Sequence, residues 1–308
     1  RHYEFRLKQD RPQGPIRLEY GEFPPEIIEV EDPSFREGLK ERHFKRPRYL
    51  SLWLALLAVL LIPSIIYWGI PGASGWFARF VPVSVEEQLG NYVVNELFPD
   101  RRICQADAGR KALDEMVMRL TTEESEYNFK VEVVDSDWVN AIAFPGGKIL
   151  IFRGLLEKSP SADALAGVLA HEMQHILHRH GTENLLSQTA LSGIFRLLSG
   201  EAGSLAKTLF DGVHILSILK YTRQFEREAD ESALMLMIQS GVDPAEMIEM
   251  FQVLSKHSSS LPEAISTHPD MSSRLERLET LIQQEPEFES RNVIMETSWK
   301  SLQNICQS

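Results

Sequence analysis

The run His171-Glu172-Met173-Gln174-His175 combines residue types and a spacing suited to a hydrolytic metal site. On a helix, residues four apart share a face, so both imidazoles can reach one ion while Glu172 sits beside it. The chemistry this predicts is hydrolysis: a zinc ion lowers the pKa of its water toward neutrality and polarises a carbonyl, and Glu172 carries the proton to the leaving amine. Catalytic zinc usually takes three protein ligands and leaves the fourth position to water. The third is expected in Tyr221-Thr-Arg-Gln-Phe-Glu-Arg-Glu-Ala-Asp230. There Glu226 and Asp230 stand one helical turn apart on one face, whereas Glu228 points away. Glu226 is thus predicted to bind the ion and Asp230 to accept the free ring N–H of a ligating histidine, fixing its tautomer. The competing reading of this run is a charged, solvated helix face.

These side chains need elements to hold them. Ala162-Asp-Ala-Leu-Ala-Gly-Val-Leu-Ala170 is rich in helix formers and apolar on one face, which predicts a helix over 161–180 carrying the motif. Further helices are expected over Val83–Leu97, Ala106–Leu120, 184–199, 202–219, 221–239, 243–256 and 271–284. Phe129–Val134 alternates, Trp138–Phe144 is short and apolar, and Lys148–Phe152 is β-branched and aromatic, all strand signals. Pro145-Gly146-Gly147 turns the last two into a hairpin. A small sheet followed by helices predicts an α+β fold. An extended substrate needs a strand to align it. Lys148–Phe152 is the expected edge, with Gly146, Gly147, Lys148, Ile149 and Leu150 along the substrate backbone. The alternative is an interior strand satisfied within the sheet.

With 308 residues the chain can hold one substantial domain and an appendage, and its net charge of −12 argues against nucleic acid as a partner. No residue from Tyr49 to Ala78 is charged, and Leu50 to Ile70 is almost wholly apolar. This predicts one transmembrane helix over 50–70, crossing the lipid bilayer with Pro63 as a tolerated kink and Tyr67, Trp68 and Trp76 suited to the interface. Arg36, Lys40, Arg42, Lys45, Arg46 and Arg48 precede the span, and Arg79 is the only basic residue soon after it. The positive-inside rule therefore places residues 1–49, a small β-rich segment, in the cytoplasm and residues 79–308 across the membrane. In a bacterium that is the periplasm or the cell exterior. Cys104 and Cys306 are the only cysteines and lack C-x-x-C spacing. In an oxidising compartment they could pair and clamp the domain's ends; two separate buried thiols are the other reading.

Four blocks in order resemble the HtpX, BepA and Oma-like family of zinc metallopeptidases, related to the CAAX prenyl endopeptidase. Val139-Asn-Ala-Ile-Ala-Phe-Pro-Gly-Gly-Lys-Ile-Leu-Ile-Phe-Arg-Gly-Leu-Leu156 is similar to the family's N-A-x-x-x-P-G-G strand-turn-strand. His171–His175 matches its zinc helix, Glu226–Asp230 its E-x-E-A-D, and Ser266-Thr-His-Pro-Asp-Met-Ser-Ser-Arg274 its H-P-x-x-x-x-R segment. Together they cover roughly residues 85–285; the first 49 residues lie outside the resemblance. It implies a zincin-like, mostly helical metallopeptidase domain holding one zinc ion on His171, His175 and Glu226, with Glu172 as general base. It also implies that His268 lies near the metal, in the water position at rest or assisting the transition state. Arg274 would bind a developing oxyanion or pair with an acidic neighbour. His178, His180, His214 and His257 are expected to be solvated or structural. The implied protein is a metalloendopeptidase anchored in a bacterial inner membrane and acting on misfolded or membrane-proximal polypeptides. The rival reading is a membrane-tethered chaperone or assembly factor that keeps zinc but cleaves little. Glu172 favours the enzyme, since a structural ion has no use for a base.

Overall fold

The structure, a computed structural model, describes residues 6–8, 15–20, 26–32, 53, 56, 57, 59–62, 64–199, 221–257, 271–286 and 289–307. The chain divides into two units, Arg1–Pro63 and Ser64–Ser308. In the first, β1 (Arg6–Lys8), β2 (Ile16–Tyr20) and β3 (Glu26–Val30) form an antiparallel sheet in that order. Arg17 stands opposite Glu29 in the register and donates to its carboxylate at 2.5 Å. Glu26-Ile-Ile-Glu-Val30 does not alternate, so it gives no period-two signal, although it pairs along its whole length with β2.

The predicted span 50–70 falls partly outside the described residues, namely at 50–52, 54, 55, 58 and 63. Among the described residues no helix is long and apolar enough to cross a membrane. What is described there includes exposed large apolar side chains, among them Trp53, Leu57, Val59, Leu60 and Ile65.

The second unit opens with a π-helical turn, Ile65–Gly69, running into α1 (Ile70–Ala78). Then follow α2 (Val83–Leu97) and α3 (Asp107–Leu120), the strands β4 (Lys130–Val134), β5 (Ala141–Phe144) and β6 (Lys148–Phe152), and α4 (Arg153–Lys158). The remainder is helical: α5 (Ala162–Leu177), α6 (His180–Ser199), α7 (Arg223–Gln239), α8 (Ala245–His257), α9 (Met271–Gln284) and α10 (Glu296–Gln303). A small sheet with helices is the α+β arrangement the sequence predicts.

Helix α5 is the central element, buried without a break from Ala164 to Ile176 and packed against β5, α7 and α8. Small residues on α5 permit this close approach. A Cβ on Gly167 would stand 2.8 Å from the Met247 side chain of α8, so only glycine fits. The sheet order is β4-β6-β5, with β4 parallel and β5 antiparallel to β6. The β5–β6 turn is seated on α2: a Cβ on Gly146, whose φ is +80°, would lie 2.2 Å from the Glu87 backbone nitrogen.

Two expectations are corrected. Strand β6 is interior, bonded to β4 on one side and β5 on the other, so it has no free edge for a substrate. Gly146, Gly147, Ile149 and Leu150 are buried, and Lys148 Nζ is engaged by Glu132 at 3.2 Å. The outer strands of this sheet are β4 and β5, and β5 is buried along its length. Phe152 N–H donates to Asn140 C=O, so residues 140, 142 and 144 bond to β6, while the main-chain groups of Ala141 and Ala143 point away from it. The second correction is that the helix expected over 161–180 breaks at Arg179, a non-glycine residue with φ +60°. Its guanidinium pays for that conformation by donating to Ala78 C=O at 3.1 Å and Val81 C=O at 2.5 Å. It also lies 3.5 Å from the buried Glu86 carboxylate, which accepts from Tyr127 at 2.6 Å and Thr182 at 2.5 Å.

Cys104 and Cys306 are joined in a disulfide, with Cα atoms 4.6 Å apart and 202 residues between them. It ties the chain before α3 to the chain after α10, two helices that pack on each other. Of the two readings of these cysteines, the pair is realised. Reduction, or a Cys104→Ser/Cys306→Ser double variant, is expected to cost about 2–4 kcal/mol. Denaturant unfolding with and without reductant measures it, and coincident curves would remove the bridge from the account of stability.

Candidate metal centre

Two capped helices bring the site together. Ser161 accepts from Ala164 N–H at 2.9 Å and starts α5; Thr222 accepts from Phe225 N–H at 3.2 Å and starts α7. The two helices pack along their lengths, which places the His171–His175 face of α5 opposite the Glu226–Asp230 face of α7. His171 Nε2 lies 3.1 Å from His175 Nε2 and 3.6 Å from Glu226 Oε2, while His175 Nε2 lies 3.5 Å from Glu226 Oε1. Donors on a tetrahedral ion with bonds of about 2.1 Å stand about 3.4 Å from one another. The two ring nitrogens and the nearer carboxylate oxygen to each are close to that spacing, and all three residues are buried, so the set can hold an ion of that kind.

The outer contacts are as ordered as the inner ones. Asp230 Oδ1 is 2.9 Å from His171 Nδ1, the partner predicted for it. Burial would raise the Asp230 carboxyl, but hydrogen bonds from Arg274 and then His171 hold it below the ordinary carboxylate range. Arg274, on α9, donates to Asp230 through Nε at 2.8 Å and Nη2 at 2.7 Å, and its Nη1 stands 2.6 Å from Glu226 Oε2. Of the two roles the resemblance implied for Arg274, the oxyanion donor is not the one observed: its guanidinium is committed to two buried carboxylates and covered by the Phe251 ring at 4.7 Å. It positions the site. Glu172 is buried, and its Oε2 accepts from Ala143 N–H at 2.8 Å, joining α5 to the side of β5 that faces away from β6. Gln174 lines a separate cavity of about 290 Å³ with Leu120, Met173 and Met235. His268 lies outside the described residues.

His180 is the residue sequence reasoning missed. Of the two readings of His180, solvated or structural, the structural one holds, but its contact with the site is unforeseen: it is buried and its Nδ1 is 2.9 Å from His175 Nδ1. On an unbroken helix residues five apart sit about 140° apart around the axis and cannot meet. The left-handed turn at Arg179 brings them together. His180 stacks on Phe225 at 4.2 Å, and its Nε2 lies 3.4 Å from Glu228 Oε2. Burial first, then the neighbouring His178, push its pKa down to about 4. Tyr221 stacks flat on His175 at 3.8 Å, closing that side of the ring.

A helix bearing two histidines and a glutamate, a carboxylate from a second helix, and a strand rim beside them define the class of a metallopeptidase domain. Residues 107–282, more than half of the chain, match Peptidase family M48, and the chain belongs to that family. It is similar to the mitochondrial metalloendopeptidase OMA1 of Schizosaccharomyces pombe, at 28% identity over 187 residues, covering 59% of this chain and 55% of that protein. It is similar also to the beta-barrel assembly-enhancing protease of Escherichia coli, at 28% over 208 residues, covering 63% and 43%. The mitochondrial metalloendopeptidase OMA1 of Danio rerio matches at 29% over 225 residues, covering 64% and 45%. The chain thus spans about half the length of these relatives.

Proposed function

We propose that this chain is a zinc-dependent metalloendopeptidase, with His171, His175 and Glu226 holding the ion and Glu172 serving as general base. The observation that carries the reading is the cluster of three buried donor side chains on two packed helices, with a second carboxylate, Glu172, one residue from the first ligand. Zinc, when bound, supplies a water of lowered pKa and polarises the scissile carbonyl. Glu172 takes a proton at its carboxylate and delivers it to the leaving amine. Asp230 and Arg274 keep the His171 ring and the Glu226 carboxylate in place. The test is metal content and casein cleavage by the full chain with and without a chelator. Cleavage that survives complete metal removal would overturn it.

An extended polypeptide would add to the outer side of β5 at Ala141, whose main-chain groups face away from β6; at Ala143 only the C=O is on offer, its N–H being donated to Glu172. Backbone pairing reads little sequence, which favours unfolded segments as substrates. Ala141→Pro removes an outward N–H and no bond to β6. It is expected to raise KM by about tenfold, the worth of one such bond, with metal content unchanged. An unaltered KM would remove β5 from substrate alignment.

We also place the protein in a bacterial inner membrane, anchored through residues 50–70 with residues 1–49 in the cytoplasm. The exposed apolar side chains between Trp53 and Ile66 favour a lipid environment, and the Cys104–Cys306 disulfide favours an oxidising compartment for the second unit. Misfolded or membrane-proximal polypeptides are the substrates this location offers. A tethered chaperone remains the rival, and the cleavage assay above separates the two.

A further inference from the structure

We infer that His180 and Glu228 form a positioning relay that sets the tautomer and orientation of His175, so that the second histidine of the metal site is governed by a neutral ring where the first is governed by a carboxylate. The inference rests on the reading of His171, His175 and Glu226 as metal ligands. To bind an ion through Nε2, His175 must keep its proton on Nδ1, and an imidazole held only by packing divides between both tautomers. The Nδ1 atoms of His175 and His180 are 2.9 Å apart, so one must donate and the other accept. With the His175 proton donated, His180 accepts at Nδ1 and carries its own proton on Nε2, which lies 3.4 Å from the Glu228 carboxylate. This assignment gives each group of the chain its complementary partner and leaves His175 Nε2 unprotonated, as a metal ligand must be; Glu228 also meets His178 Nδ1 at 3.3 Å. The His180 ring is fixed on both flanks, by Phe225 at 4.2 Å and His178 at 5.4 Å.

The two ligands are thereby held differently. His171 meets Asp230, itself clamped by a buried arginine. His175 meets an imidazole whose own partner, Glu228, is nearly half exposed at 46%. The orientation of the second ligand is therefore coupled to a surface carboxylate, and Glu228 has a part in the site although it faces away from the ion. Partners of this kind typically change metal affinity by 10- to 100-fold when removed.

The test is zinc affinity of the full chain, measured by chelator competition, with cobalt(II) spectra of the same variants. His180→Leu removes the acceptor and is expected to weaken zinc by about 10- to 100-fold and to shift the cobalt bands. His180→Asn, whose Oδ1 replaces Nδ1 as acceptor, should stay within about threefold of the parent. Glu228→Ala should weaken zinc by about threefold in the parent, the contact being long and partly solvated, and have no further effect in His180→Asn. Leu and Asn variants that lose affinity equally, or that lose none, would overturn the relay. Should the Leu variant fail to fold, the Glu228→Ala comparison decides, and equal effects in the parent and His180→Asn would refute it. Failure of the underlying reading looks different: the parent itself would bind no zinc, or Glu226→Ala would bind it undiminished.

Discussion

Glu172→Gln is expected to keep one metal ion per chain and to lower peptide-bond cleavage by about 10²- to 10⁴-fold, the usual share of a general base. Glutamine preserves the shape of the side chain and its acceptor toward Ala143 N–H, so the contact at 2.8 Å between α5 and β5 survives. What disappears is the capacity to hold and deliver a proton. Glu226→Ala is the control that must behave otherwise. It removes a carboxylate whose two oxygens lie 3.5 and 3.6 Å from ring nitrogens that are 3.1 Å apart, and should lose metal and activity together. Metal analysis alongside a casein assay distinguishes the two variants. Wild-type cleavage by Glu172→Gln would sink the assignment of the base, and full metal content in Glu226→Ala would sink that of the ligand.

Arg274→Met is expected to destabilise the metal-free protein by about 3–5 kcal/mol, because it leaves two buried carboxylates without their cation. Asp230 loses a two-pronged partner at 2.8 and 2.7 Å, and Glu226 loses one at 2.6 Å. Both carboxylates are about 1% exposed, so water cannot replace the guanidinium. Methionine roughly keeps the stem that lies against Phe251, which isolates the charge from the packing. A pH signature follows. Burial opposes ionisation of Asp230, and Arg274 and His171 reverse that, so its carboxyl sits below the ordinary range. Its ionised form therefore contributes stability above the unfolded carboxylate pKa, and this is lost as pH falls through the lower folded value. Without Arg274 the acid limb of the stability curve should move to higher pH. Urea unfolding in chelator, repeated across pH, measures both effects. A loss under about 1 kcal/mol with an unmoved acid limb would show that Arg274 does not organise the site.

Much of this centre was readable from local sequence because helical spacing is local geometry. His171 and His175 at i and i+4, and Glu226 and Asp230 at i and i+4, must share faces wherever their helices go. The same logic set Glu228 aside as a ligand. The hairpin at Pro145-Gly146-Gly147 was legible for a similar reason, since two positive φ values in succession suit glycine alone. Two errors share one cause. Strand order depends on which distant segment pairs with which, and nothing in Lys148–Phe152 says that Lys130–Val134 will lie parallel beside it. The break at Arg179 likewise depends on carbonyls almost a hundred residues away, at Ala78 and Val81.

The division follows from the range of the forces. By itself, the sequence determined which side chains could share a face, where the glycine turn falls and that two acidic and two histidine positions form complementary sets. Tertiary structure alone decided that β6 lies between β4 and β5, that Arg274 serves the carboxylates, and that His180 reaches His175. Each of those outcomes needs segments far apart in the chain to be packed together, and packing is set by burial and shape over the whole domain, which no short run of residues contains.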